Sequence, residues 1–155
     1  MSRYAKKIQS QPPRALPVPD QYVESTFLTL QRTQHWLVGM LVICAVLGIT
    51  VFRGAPGNLG NRVYLPIIFS TTLLTFAYTL RNSMVLPALA ELRRNPRDPR
   101  ILARWRRNNL IVQSLCAAVG LLGFAMQLMG AAIAISLTLY AIAVVYLFLL
   151  APAKP

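Results

Sequence analysis

The sequence predicts an all-α membrane protein: four transmembrane helices arranged as two hairpins, with both termini on the cytoplasmic side. Three observations carry that prediction. Hydrophobic residues make up 55% of the chain and charged ones 13%, with a mean hydropathy of +0.51, whereas soluble domains carry about 25% charged residues. The apolar residues are bunched into four long runs instead of being spread along the chain. The basic residues, which leave a net charge of +12, lie outside those runs, where they suit anionic lipid headgroups or an acidic protein face. Nucleic acid is the weakest fit of the three.

Residues 1–24 read as a basic, proline-rich cytoplasmic arm, with Pro12, Pro13, Pro17 and Pro19 beside Lys6, Lys7 and Arg14. Proline lacks a donor and fixes φ, so an extended or disordered arm is expected rather than a helix, and a plain flexible tail ranks ahead of an arm laid along a partner. The first apolar run begins too late for a signal peptide. Residues 25–155 form the expected four-helix transmembrane domain, with helices at about 34–52, 63–86, 109–128 and 130–150. From Ser25 a short interfacial helix leads in, and Arg32, His35 and Trp36 mark a water–lipid boundary. The first run, Trp36 to Phe52, is at the short end of what spans a ~30 Å hydrocarbon core. Gly39, Cys44 and Gly48 give it a small-residue face for helix packing.

Arg53 to Arg62 is turn chemistry, rich in Gly and Pro. The second run, from Val63, has Pro66 in its first turn and is heavily hydroxylated: Ser70, Thr71, Thr72, Thr75, Tyr78 and Thr79. Such groups bond back to helix carbonyls or across to a neighbour, or they line a water path. Met84, Val85, Leu86, Leu89 and Leu92 continue the helical spacing past Arg81, with Pro87 as a kink. After a turn at Asn95 to Pro99, Asp98 is expected to cap a helix whose first residue is Pro99. The third and fourth runs, Leu110 to Leu128 and Met129 to Leu150, are separated by a tight turn near Gln127 to Gly130 and are expected to be antiparallel neighbours. Cys116, Gly120, Gly123, Gly130 and Ala134 supply small packing faces. Counted in from their helix starts, Cys44 and Cys116 sit at similar depth, so their thiols could meet if helices 1 and 3 are neighbours, packing being the plainer role for both.

The segment 81–108 holds eight arginines against Glu91 and Asp98. By the positive-inside rule it lies in the cytoplasm with both termini, extending helices 2 and 3 into a basic cytoplasmic hairpin. Arg93, Arg94, Arg97, Arg100, Arg104, Trp105, Arg106 and Arg107 are the candidate residues for docking a partner or lipid headgroups.

No ionisable group interrupts an apolar run, where a membrane enzyme or pump would need one. No catalytic set, metal cluster or phosphate loop can be assembled. No cofactor is expected, the single weak candidate ligand being His35. The expectation is therefore a non-catalytic membrane subunit, accessory, assembly or scaffolding, in a bacterial cytoplasmic membrane, with other subunits and anionic lipids as partners. The alternative is a homo-oligomeric channel or small transporter lined by helix 2.

Overall fold

The computed structural model describes residues 20–51, 64–96 and 98–153. Helix accounts for 91% of them and no strand is present among them. The elements are α1 (Asp20–Val51), α2 (Tyr64–Leu80), a π-helical turn (Arg81–Val85), α3 (Leu86–Arg94), α4 (Pro99–Leu128) and α5 (Ile133–Leu149). α2, the π turn and α3 run on without leaving right-handed helical geometry, so the described residues form four rods.

α1 starts earlier than the apolar run suggests. The expected interfacial helix from Ser25 and the last residues of the expected extended arm belong to one continuous 32-residue helix. Two causes are visible. Ser25, Thr26, Thr29 and Thr33 each donate a hydroxyl to a carbonyl three or four residues back, so their polarity is spent within the helix. Thr26, Leu30 and Gln34, one turn apart, are buried by the other rods. The arm before Asp20, and the Gly- and Pro-rich stretch after Val51, lie outside the described residues.

The expected kink at Pro87 takes the form of the π turn just before it. Pro87 has no N–H and its ring crowds the carbonyl four residues back. The helix widens instead of breaking, and Leu86 N–H donates to Arg81 O, five residues back. α4 begins where the Asp-Pro pair predicts: Asp98 Oδ1 accepts Arg100 N–H at 2.8 Å, and Pro99 opens the first turn. It ends as a Schellman motif. Gly130 takes φ 82°, its N–H donates to Gln127 O at 3.1 Å, and Ala131 N–H donates to Met126 O at 3.0 Å.

α4 is the hub, packing against α1, α5 and the whole α2–α3 rod. Its core-facing residues are Leu102, Trp105, Asn109, Val112, Cys116, Val119, Gly123 and Met126, all buried. They alternate three and four apart, the seam of a knobs-into-holes interface. α1 runs parallel to α4: Gln113 Nε2 donates to Leu30 O at 3.5 Å, Leu41 covers Gly120, and Gln127 covers Gly48. α5 runs antiparallel to α4, with Ser136 O and Leu139 Cβ 3.1 and 3.2 Å from where a Cβ on Gly123 would sit. The α2–α3 rod is also antiparallel to α4, since Met84 pairs with Asn108 and Glu91 with Arg104.

The two expected hairpins differ in packing: α4 and α5 pack across their turn, whereas α1 and α2 make no substantial contact among the described residues. α1 lies against α4 and α5, and α2 rests on α4 through a narrow stripe of Ser70, Leu74 and Ala77. The similar depth expected for the two thiols is corrected. With Leu41 beside Gly120, Cys116 is level with the region of Leu37, and Cys44 lies about seven residues (about 10 Å) further along. Both cysteines are free.

Two helices, Gln21–Thr50 and Pro99–Leu128, are long and apolar enough to cross a membrane, and Ile133–Leu149 is apolar but shorter.

Candidate functional site: a basic cleft between α3 and α4

The arginine-rich segment folds back on itself because both of its arms are amphipathic. On the first arm, Val85 of the π turn and Ala88, Leu89 and Leu92 of α3 face inward; on α4, Leu102, Trp105 and Asn109 do the same. The arginines occupy the remaining faces. Between the two arms opens a cleft of about 520 Å³, lined by Ser83, Met84, Pro87, Ala88, Ala90, Glu91, Arg94, Arg104, Arg107 and Asn108.

The floor of the cleft is built by the π turn. Pro87 cannot donate to Ser83 O, the acceptor four residues back. Next to it, Met84 O accepts from Asn108 Nδ2 at 3.3 Å, so a buried amide of α4 ties the two arms together. Below this point Asn109 Nδ2 donates to Trp105 O at 2.9 Å. Across the mouth, Arg104 Nη1 lies 3.7 Å from Glu91 Oε2, with both side chains more than half exposed. A solvated pair of that length contributes about 0–1 kcal/mol and is easily opened. Three guanidinium groups against one carboxylate leave the cleft with an excess of positive charge.

The structure sorts the candidate docking residues into three groups. Arg94, Arg104 and Arg107 converge on the cleft. Arg93, Arg100 and Arg106 are exposed but line other surfaces. Arg97 lies outside the described residues. Trp105 is a correction: at 0% exposure it is neither an interfacial anchor nor part of a docking patch. It occupies the α4 seam, while the arginines beside it in sequence point elsewhere. Its Nε1–H has no acceptor among the described residues.

The packing candidates divide similarly. Gly48, Cys116, Gly120 and Gly123 are buried in helix contacts, Cys44 is half-buried, and Gly130 serves the turn. Among the described residues Gly39 has no neighbour near its missing Cβ and Ala134 is exposed, so neither supports a helix contact there. His35 is exposed on α1, its Nδ1 2.7 Å from Gln31 O. It borders a shallow apolar hollow of about 600 Å³ that includes Trp36 and Met40. No group of three His, Cys, Asp or Glu side chains comes together among the described residues.

The threonine hydroxyls of α2 are satisfied within the helix, whereas Ser70 Oγ is buried with no partner among the described residues. Thr71, Thr72, Thr75 and Thr79 donate to Ile67, Ile68, Thr71 and Thr75 carbonyls, each at 2.9 Å. All four are exposed, and Thr71 also borders a small, mostly apolar pocket of about 200 Å³ between α2 and α5.

Sequence reasoning missed the buried amides. Gln34 Nε2 donates to Leu147 O at 2.9 Å, tying α1 to α5, and Gln113 ties α4 to α1. Gln127 is buried with neither amide atom paired among the described residues. The three- and four-residue alternation through Leu102, Trp105, Asn109 and Val112 was a legible signal for the seam. The amide partners, 83 and 113 residues away, left no local trace.

No protein family, curated protein or solved structure was found to match this chain.

Proposed function

We propose that this chain is a non-catalytic subunit of a larger membrane complex. It inserts as four helices and docks other subunits through its arginine-rich α3–α4 end. The observation that carries the reading is the pairing of an apolar girdle with a basic end. Trp36, Ile43, Leu65, Ile68, Phe76, Phe148 and Leu149 are all exposed, with Trp36 at 74% and Leu65 at 75%. A surface of that extent marks contact with lipid or partner protein rather than water.

The alternating rod directions support the N-in/C-in arrangement. They bring the start of α1, the turn at Asn95–Asp98 and the end of α5 to one end of the bundle, where the arginines are. The positive-inside rule places that end in the cytoplasm, in a bacterial cytoplasmic membrane.

Gentle-detergent purification from native membranes, with mass spectrometry of the eluate, tests the docking. Arg104→Gln, Arg106→Gln and Arg107→Gln combined should strip stoichiometric partners at moderate salt. A complex that stays intact in that variant would sink the docking role.

A further inference from the structure

We infer that the cleft between α3 and α4 is a binding site for one anionic phospholipid, its phosphate held by Arg94 and Arg107 with Arg104 at the rim. The inference rests on the membrane reading above and names a ligand for the same basic end. Three features converge on it.

The first is charge: three guanidinium groups meet one carboxylate, and the contact of that carboxylate with Arg104 is a loose 3.7 Å pair that Arg104 can leave. Guanidinium presents a planar fork of donors that matches phosphate oxygens two at a time. An anionic headgroup balances the excess, whereas the quaternary ammonium of a zwitterionic lipid would add to it.

The second is depth. The cleft lies where the uncharged stretch of α2 ends at Arg81 and that of α4 begins at Asn108. In a bilayer this is the level of lipid phosphates, and basic pockets between helices on the cytoplasmic side suit phosphorylated headgroups.

The third is shape. The α4 side of the cleft is polar, while the other side sets the apolar Met84, Pro87, Ala88 and Ala90 beside Ser83, Glu91 and Arg94, and Met84 is half exposed. A phosphate with glycerol and acyl chains attached uses both the charged and the apolar lining; a free anion uses only the charged part. The floor is fixed by the π turn and the Asn108–Met84 hydrogen bond, so the site exists before the ligand arrives.

Native mass spectrometry of the full chain in neutral detergent, titrated with dioleoylphosphatidylglycerol or dioleoylphosphatidylcholine, tests this. One phosphatidylglycerol should be retained in preference to phosphatidylcholine. The Arg94→Gln/Arg107→Gln double variant should weaken retention by about tenfold or more, two charge-assisted hydrogen-bonding groups having been lost. Arg100→Gln/Arg106→Gln removes the same charge outside the cleft and should leave retention nearly unchanged. Equal loss in both double variants would reduce the effect to bulk charge and overturn the site. Equal retention of phosphatidylcholine would overturn it too, as would full displacement by inorganic phosphate, which would make it a free-anion site. Should the glutamine pair fail to fold, Arg94→Lys/Arg107→Lys keeps the charge and loses the fork; undiminished retention there overturns the assignment. The assay contains no partner protein, so a negative result here leaves subunit docking standing, and loss of docking leaves the lipid result standing.

Discussion

α1 and α4 are both long, apolar helices of similar hydropathy, yet they occupy opposite positions in the molecule. Within its most apolar window α1 is 17% buried and α4 is 50% buried. The difference lies in side-chain size and placement. α4 carries Cys116, Ala117, Gly120 and Gly123 along its middle, so neighbours approach its backbone from several sides. α1 contributes a single stripe, Thr26, Leu30, Gln34, Leu41 and Gly48, and leaves Trp36, Val42, Ile43, Val46 and Leu47 outside. Hydropathy thus identifies segments that avoid water but does not distinguish a helix that faces protein from one that faces outward.

Substitutions can break or sharpen that contrast, read as thermal unfolding of the purified protein in detergent. The largest effect is expected at the hub: Trp105→Ala empties a fully buried site and should cost about 3–5 kcal/mol. A small loss would mean that the seam relaxes and is less tightly packed than described. Next, Gly123→Leu drives a side chain into Ser136 O and Leu139, an overpacking cost of about 1–3 kcal/mol. Gly39→Leu on α1 meets open space and should be neutral or slightly stabilising, since glycine is a poor helix former. Similar melting for these two variants would erase the distinction between the helices.

Gln127→Met removes two buried unpaired amide atoms while nearly preserving volume. It should raise stability by about 1 kcal/mol; a clear loss would mean that the amide has a partner beyond the described residues. The smallest effect is expected for Glu91→Gln, which opens an exposed 3.7 Å pair worth less than about 1 kcal/mol. By removing the one carboxylate among the described residues that line the cleft it should strengthen phosphatidylglycerol retention by the same assay, and weaker retention would count against the assigned charge balance.

Legibility followed the range of the interactions. The Asp98–Pro99 start, the Gly130 turn and the disturbance at Pro87 were all readable, because each depends on residues within one turn of one another. Trp105 was misread because its sequence neighbours, Arg104 and Arg106, suggested an exposed basic patch. On a helix, adjacent residues point about 100° apart, and the side chains that share the tryptophan's face are three and four residues away. The cysteine pair was misread because depth was counted from helix starts, whereas the actual register is fixed by Leu41 seating on Gly120. Within the basic segment, composition marked the right region but not which arginines meet; the cleft gathers Arg94, Arg104 and Arg107 and leaves Arg93, Arg100 and Arg106 outside.

By itself the sequence determined the four apolar rods, the Asp98 cap, the turn at Gln127–Gly130, the basic stretch between the second and third rods, and the continuation of helix past Arg81. These follow from backbone hydrogen bonds to residues three to five positions away and from the chemistry of proline, glycine and aspartate. Only the tertiary structure decided that α4 is the hub, that α1 and α2 stay apart, and that Trp105 is core. The same holds for the three arginines that share a cleft. The reason is that such contacts are chosen by complementarity between surfaces whose residues lie tens of positions apart, as Gln34 and Leu147 do. Close packing, unlike helix formation, leaves little mark on any short window of sequence.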